Sequence, residues 1–394
     1  MKIVQFTIRF LPSEGGTERA TYYLCRELAL NGHQVSIVTA NANNFSKDKV
    51  ISNYKILKYQ TANYLSTETI DDITVYRYPY LISNNSPPIF SPSLVTFNVS
   101  NFDIIHLQGV NMTSSFSILS LLVTLKGRRF VATTHGIAEF SVRSNFEKLF
   151  VTRLYLKRAE KIIALCQYES NMLLQLGISP EKIVIIPNGV DLNRFKCKPS
   201  VERITELKKK YRLAKYVMIC VGRVASNKGF ESLIEAAIAF RNDDVSFVIV
   251  GPSVDAVYLR KLKSLIDYYG LNKKFVLTGW VPDTEIVDLL FLSDIFVFPS
   301  IIDTFGLVNL DAMAAGKPVV ASSTGGVSEI VQHGKTGIIV TPGDSLELSK
   351  AIRKLLDDKE LRDFMGLNGQ RVVKEKFSWE KICSETITVY QNIC

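Results

Sequence analysis

Short apolar runs alternate with stretches of helical periodicity along most of the chain, the pattern of parallel strands covered on both faces by helices. In the first half the runs predict strands over residues 3–7, 35–39, 104–107, 131–134, 162–165 and 183–186. In the second half they predict strands over 217–221, 247–250, 275–278, 295–298, 319–321 and 338–340. The rhythm breaks between the halves, where Pro187-Asn188-Gly189-Val190-Asp191, Pro199 and a charged stretch holding Lys208-Lys209-Lys210 supply turn formers and a linker. Residues 41–92, rich in Asn, Ser, Tyr and Pro and weak in periodicity, read as loops with short strands. The tail from Phe377-Ser378-Trp379 to Cys394 reads as an amphipathic helix that either caps the second domain or crosses back to the first.

A chain of 394 residues exceeds what one core usually supports, so two α/β domains are expected. Their division is 1–188 and 189–376, with the terminal helix over 377–394. The first residues form a strand and lack the apolar core of a signal peptide. The longest lipophilic run, residues 116–125, falls short of the ~20 apolar residues that span a bilayer, and a cytoplasmic protein is expected. Six cysteines without a C-x-x-C pair, and four histidines without ligands at metal-site spacing, predict neither a disulfide framework nor a metal site. The net charge of +9 favours an anionic partner. Recognition-helix, zinc-finger and RNA-binding signatures are not found, so nucleic acid is not the expected one. Arg143, Lys148, Arg153, Lys157, Arg158 and Lys161 interleave with Phe146, Leu149, Phe150 and Leu154 on an expected helix. That helix suits an anionic membrane surface; the alternative is a solvated helix packed on its own domain.

Candidate chemistry gathers where strands give way to helices. Glu14-Gly15-Gly16-Thr17 follows the first strand, and its small residues let backbone N–H groups approach an oxyanion or a sugar, or serve only a tight turn. His135-Gly136 follows the strand at 131–134, and ligands of open α/β sheets sit at strand carboxyl ends. There His135 is either a structural histidine or a donor to a sugar hydroxyl or a phosphate. Gly222-Arg223 and Lys228-Gly229 present two cations at one strand-to-helix turn, a fit for a diphosphate whose charge grows as it departs, the alternative being solvated surface charge. In the run from Pro299 to Val320, Asp303 precedes a helix expected to begin near Gly306, and Asp311 lies one to two turns within it. Each carboxylate can accept from a vicinal diol; singly, Asp303 would be read as a helix cap and Asp311 as helix surface. Gly325-Gly326-Val327-Ser328-Glu329 either lines the same crevice or simply turns the chain, with the structural turn preferred.

In this order the motifs, with Pro187-Asn188-Gly189-Val190-Asp191 and Phe377-Ser378-Trp379, resemble the retaining glycosyltransferases of the GT-B fold known as glycosyltransferase group 4 or glycosyl transferase group 1. The resemblance covers nearly the whole chain. It implies two facing Rossmann-like domains with the active site in the cleft between them, the acceptor held by the first and a nucleotide sugar, UDP-linked or GDP-mannose, by the second. It further implies that Arg223 and Lys228 hold the donor diphosphate, Asp303 the transferred sugar, the amides near Phe305, Gly306 and Leu307 the phosphates or sugar, and Asp311 the ribose. His135 and the Gly15-Gly16 turn complete the expected site, with no cofactor and no metal. The acceptor would be a hydroxyl of a glycan, a lipid or a lipid-linked glycan, placing the enzyme in the cytoplasm or on the inner face of the membrane. The family pattern carries glutamates in E-x7-E where this chain has Asp303 and Asp311, each one methylene shorter at the same spacing. The rival classes are a GT-B-like sugar-nucleotide epimerase or glycan phosphorylase, and a non-catalytic sugar-nucleotide binder.

Overall fold

The computed structural model describes residues 1–12, 15–40, 66–78, 80–81, 89–90, 97–109, 113–136, 151–153 and 155–393. The chain divides into two compact units, Met1–Gly189 with Trp379–Cys394, and Val190–Ser378.

In the first unit the strands are β1 (Lys2–Phe6), β2 (Gln34–Ala40), β3 (Ser66–Ile70), β4 (Ile73–Tyr78), β5 (Tyr80–Leu81), β6 (Ile89–Phe90), β7 (Ile104–Gln108), β8 (Val131–Thr133), β9 (Lys161–Ala164) and β10 (Ile183–Ile185). Eight of them form one sheet in the order β10-β9-β8-β7-β1-β2-β4-β3, and β5 pairs with β6 apart from it. All neighbours in the large sheet are parallel except β3 and β4. Those two join through Asp71-Asp72 at φ 46° and 63°, the positive pair of a type I′ hairpin, which aspartate tolerates. The hairpin fell inside the weakly periodic stretch because β3 is a half-solvated edge with polar side chains and shows no continuous apolar run.

Side chains along β1 alternate between two cores. Ile3 joins Val35, Ile37, Ile104 and Val131 beneath the helix Gly16–Leu30, whereas Val4 and Phe6 join Val38, Ile105 and Leu107 on the opposite face. Of the two placements open to the terminal helix, the structure has Trp379–Gln391 packed on the first unit: Trp379, Ile382, Cys383, Val389 and Tyr390 share a core with Ala20, Leu24, Cys25 and Leu28. Phe377 and Ser378 stay with the second unit, a difference from the expected boundary. Val190 N donates to Phe377 O at 2.8 Å, and Val190 bridges Ser378.

The expected basic helix is corrected in part. Arg143, Phe146, Lys148, Leu149, Phe150 and Leu154 lie outside the described residues. Arg153 is helical, but Lys157 and Arg158 belong to the 3-10 turn Leu156–Arg158, and Lys161 opens β9. Ile162 and Ile163, next along the chain, are buried in opposite cores, which an extended segment satisfies and a surface helix does not.

The second unit carries β11 (Tyr216–Val221), β12 (Val245–Val250), β13 (Phe275–Gly279), β14 (Ile295–Phe298), β15 (Val319–Ser322) and β16 (Gly337–Val340), all parallel, in the order β13-β12-β11-β14-β15-β16. Every residue of β12 and β14 is buried, as suits strands covered on both faces. In both sheets the chain starts at a central strand, builds to one side, then returns to build the other. The reversals fall between β1 and β7 and between β11 and β14, the places where open α/β sheets bind ligands beyond their strand carboxyl ends.

Candidate functional site

At the reversal in the second unit, the turns after β11, β14 and β15 are bonded to one another. Asn227, in the 3-10 turn Ser226–Lys228, accepts through its carbonyl from Ile301 N at 3.0 Å, Ile302 N at 3.2 Å and Ser300 Oγ at 3.1 Å. Thr324 Oγ1 donates to Ile301 O and accepts from Asp303 N, both at 3.1 Å, and Gly326 N donates to Thr304 O at 2.8 Å. Gly325 is required here. Its φ is 53°, and a Cβ would lie 2.1 Å from Asp303 O. The run read as a structural turn therefore braces the loop that carries Asp303.

Lys228 and Asp303 meet in that framework, Nζ donating to Oδ2 at 2.5 Å, both side chains 19% exposed. The other carboxylate oxygen, Oδ1, accepts from Gly306 N at 2.9 Å and Phe305 N at 3.3 Å. Two of the amides expected to face a donor thus close a turn on Asp303. They reach a ligand oxygen only if the carboxylate lets them go. Gly306 sits at φ 75°, outside the helical region, so the helix begins at Val308 (Val308–Ala314) and later than expected, with Leu307 at its cap. Arg223, just past β11, is exposed, with no hydrogen-bond or ion-pair partner among the described residues. It is a cation at a strand carboxyl end, on the same strand-to-helix connection as Lys228.

Asp311 is buried on the helix Val308–Ala314, and its Oδ1 accepts from Arg194 Nη1 at 2.7 Å. Arg194 also forks onto Asp283, Nε to Oδ2 at 2.8 Å and Nη2 to Oδ1 at 2.6 Å. Sequence reading missed this arginine, because three residues past Asp191 it looked like part of the linker.

Gly15, Gly16 and His135 belong to the first unit. Gly15 is the extended cap of the helix Gly16–Leu30 and lacks any side-chain capping bond. His135 follows β8 at φ 38°, a left-handed conformation rare for a residue with a Cβ. Glu169, fully buried, pins this turn: it accepts from Gly136 N at 3.2 Å, Leu165 N at 2.7 Å and Thr134 Oγ1. His135 Nε2 lies 2.8 Å from Gln108 Oε1, which places the ring proton on Nε2, and Gln108 Nε2 in turn donates to Gln5 Oε1 at 2.5 Å. Next to them His106, fully buried, meets Tyr390 hydroxyl through Nδ1 and Thr133 Oγ1 through Nε2, each at 2.7 Å. Burial pushes the His135 imidazole down to about 4. Burial, then the nearby His135, pushes His106 down to about 3. Both rings are neutral near pH 7, so His135 is a hydrogen-bonding group and not a resident cation. Glu169, Gln108 and His106 carried no sequence signal, since a polar residue inside an apolar pattern does not show which neighbour will satisfy it.

Among the described residues, no group of three or more His, Cys, Asp and Glu side chains could hold a metal ion, and no helix is long and apolar enough to cross a membrane.

Comparison with known proteins agrees with this layout. The family model Glycosyltransferase Family 4 matches residues 14–194, and the model Glycosyl transferases group 1 matches residues 203–372. The phosphatidylinositol N-acetylglucosaminyltransferase GPI3 subunit of Saccharomyces cerevisiae is 24% identical over 98% of this chain and 81% of its own. A GDP-mannose-dependent alpha-(1-6)-phosphatidylinositol monomannoside mannosyltransferase of Mycobacterium tuberculosis is 29% identical over 65% of this chain and 68% of its own. Among solved structures, Anabaena HepE in complex with UDP superposes with a TM-score of 0.80 at 22% identity over the full length of both chains. Two parallel-sheet α/β units with these matches, one to each half, make the chain a member of the family 4 (group 1) glycosyltransferases of the GT-B fold.

Proposed function

We propose that the chain transfers a hexose from a UDP-linked sugar or GDP-mannose to a hydroxyl of a lipid or lipid-linked glycan, with retention of the anomeric configuration and without a divalent metal. The observation that carries the reading is the pair of cations after β11, exposed Arg223 and half-buried Lys228, the second bonded to the carboxylate of Asp303, at the point where the strand order reverses.

A donor diphosphate would draw Lys228 from Asp303 and meet Arg223, and the released carboxylate would accept from the sugar hydroxyls. As the bond from the anomeric carbon to the phosphate oxygen breaks, both cations stabilise the growing negative charge, the role a metal has in other transferases. The acceptor oxygen bonds to the same face of that carbon, and its proton passes to the departing phosphate. Neutral His135, with its strained turn held by Glu169, orients the sugar or acceptor and forms no covalent bond. Asp311 holds the ribose. The lipid acceptor draws support from the two relatives whose names carry phosphatidylinositol, and the nucleotide from the UDP complex and the GDP-mannose-dependent relative; a cytoplasmic or inner-membrane location is the proposal that goes with such substrates.

The test is transfer from α-linked UDP-hexoses and GDP-mannose to a panel of polyprenyl- and inositol-lipid acceptors in the presence of EDTA. Proton NMR of the fresh product should show an α-glycoside. A β-product defeats the mechanism, activity restored only by Mg²⁺ or Mn²⁺ defeats metal independence, and acceptor-independent change of the donor sugar points to an epimerase.

A further inference from the structure

We infer that Arg194 is a positioning residue for nucleotide recognition, acting through Asp311. The inference rests on the reading that Asp311 binds the donor ribose. Arg194 stands in the 3-10 turn Leu192–Phe195, whose entry is capped by Asp191 accepting from Asn193 N at 3.1 Å. Its side chain is 9% exposed, and its guanidinium lies 5.1 Å from the centre of the Phe195 ring. Asp283, the first residue of the helix Asp283–Leu292, takes two nitrogens of the fork, which aims the third, Nη1, at Asp311. A planar guanidinium held at two of its nitrogens has little freedom left, so the carboxylate it meets is fixed in direction as well as in charge.

This matters for an aspartate. The carboxylate of Asp311 is one methylene closer to its helix than a glutamate would be, so it has less reach and depends more on being held at one angle. With Oδ1 bound to Arg194, rotation of the carboxyl group about its last bond is arrested. Arg194 also sets the helix Val308–Ala314 against the helix Asp283–Leu292, so both the orientation of the carboxylate and its placement run through one side chain.

The experiment compares Arg194→Gln, Arg194→Lys, Asp283→Asn and Asp311→Asn by calorimetric affinity for UDP, GDP and inorganic pyrophosphate, and by steady-state kinetics of transfer. Arg194→Gln should raise the donor KM on the order of tenfold and weaken the preferred nucleoside diphosphate equally. It should leave kcat and pyrophosphate affinity near wild type, because Arg223 and Lys228 are untouched. Arg194→Lys keeps the charge without the fork and should lose nearly as much; Asp283→Asn should lose less. On an Asp311→Asn background, Arg194→Gln should add little further loss. Should Arg194→Gln fail to fold, Arg194→Lys and Asp283→Asn still decide. Nucleotide affinity at wild-type level in the folded Arg194 variants, alongside a clear loss in Asp311→Asn, overturns the inference. Wild-type affinity in Asp311→Asn itself overturns the ribose assignment instead. Equal loss of pyrophosphate and nucleotide affinity in the Arg194 variants shows general damage and also overturns it.

Discussion

Lys228 and Asp303 are a bonded pair, each about one-fifth exposed, and this decides what their removal does. An ion pair this accessible to water contributes at most about 1 kcal/mol to stability, and Asp303 keeps two backbone donors when Lys228 is gone. Lys228→Ala should therefore stay folded, with a thermal midpoint within a few degrees of wild type, yet lose roughly 10²- to 10³-fold in kcat. Arg223→Ala should lose comparable activity with no change in midpoint, since its guanidinium is exposed. Near-normal turnover in both variants removes the assigned diphosphate site. Gly325→Ala is a different kind of change: a methyl group 2.1 Å from Asp303 O, at φ 53°, must push the loop away. It should cost roughly 1–3 kcal/mol and most of the activity, measured by urea unfolding and by rate.

At the level of elements, the buried polar cluster joins β1, β7 and β8 to the terminal helix. Gln5, His106, Gln108 and Thr133 lie on the sheet face that this helix helps cover, and Tyr390 reaches in to His106. In an unfolded chain each imidazole takes up a proton near its ordinary value of ~6.5, but in the fold His106 resists until about 3 and His135 until about 4. The unfolded state therefore binds more protons as the pH falls, and the stability these two histidines contribute drops from pH 6.5 down towards 4 and is level above about 7. For His106 alone the loss by pH 5 is about 2 kcal/mol. Urea midpoints measured from pH 8 to 4.5 should trace that fall. His106→Asn should start lower at pH 8, having lost its bonds, and show a shallower slope; an unchanged slope would mean that His106 does not carry the effect.

For the whole molecule the relevant quantities are a net charge of +9 and, among the described residues, the lack of any helix suited to crossing a membrane. A protein of this charge, with the lipid-linked acceptors proposed for it, is expected to bind anionic surfaces by electrostatics. It should co-sediment with vesicles containing phosphatidylglycerol at low salt and release from them as ionic strength approaches about 0.5 M, where screening shortens to a few ångströms. No binding at low salt to such vesicles would count against a membrane-surface location.

The sequence by itself determined the strands of both sheets other than β3 and β4 to within two residues, because each of these is a compact apolar run bounded by turn formers, and local pattern suffices for that. It also marked the turns after β11 and β14, since glycines flanked by charge at strand ends are legible without neighbours. What lay beyond it were the pairings. That Lys228 meets Asp303 across 75 residues, that Arg194 holds Asp311 across 117, and that Tyr390 closes on His106 across 284 depends on which strands lie side by side. The same holds for the terminal helix. Its apolar face fits either unit by composition, and only the shape offered by the helix Gly16–Leu30 chose between them. Periodicity is written in the order of residues, whereas a hydrogen bond between distant side chains exists only once the sheet has brought them within 3 Å.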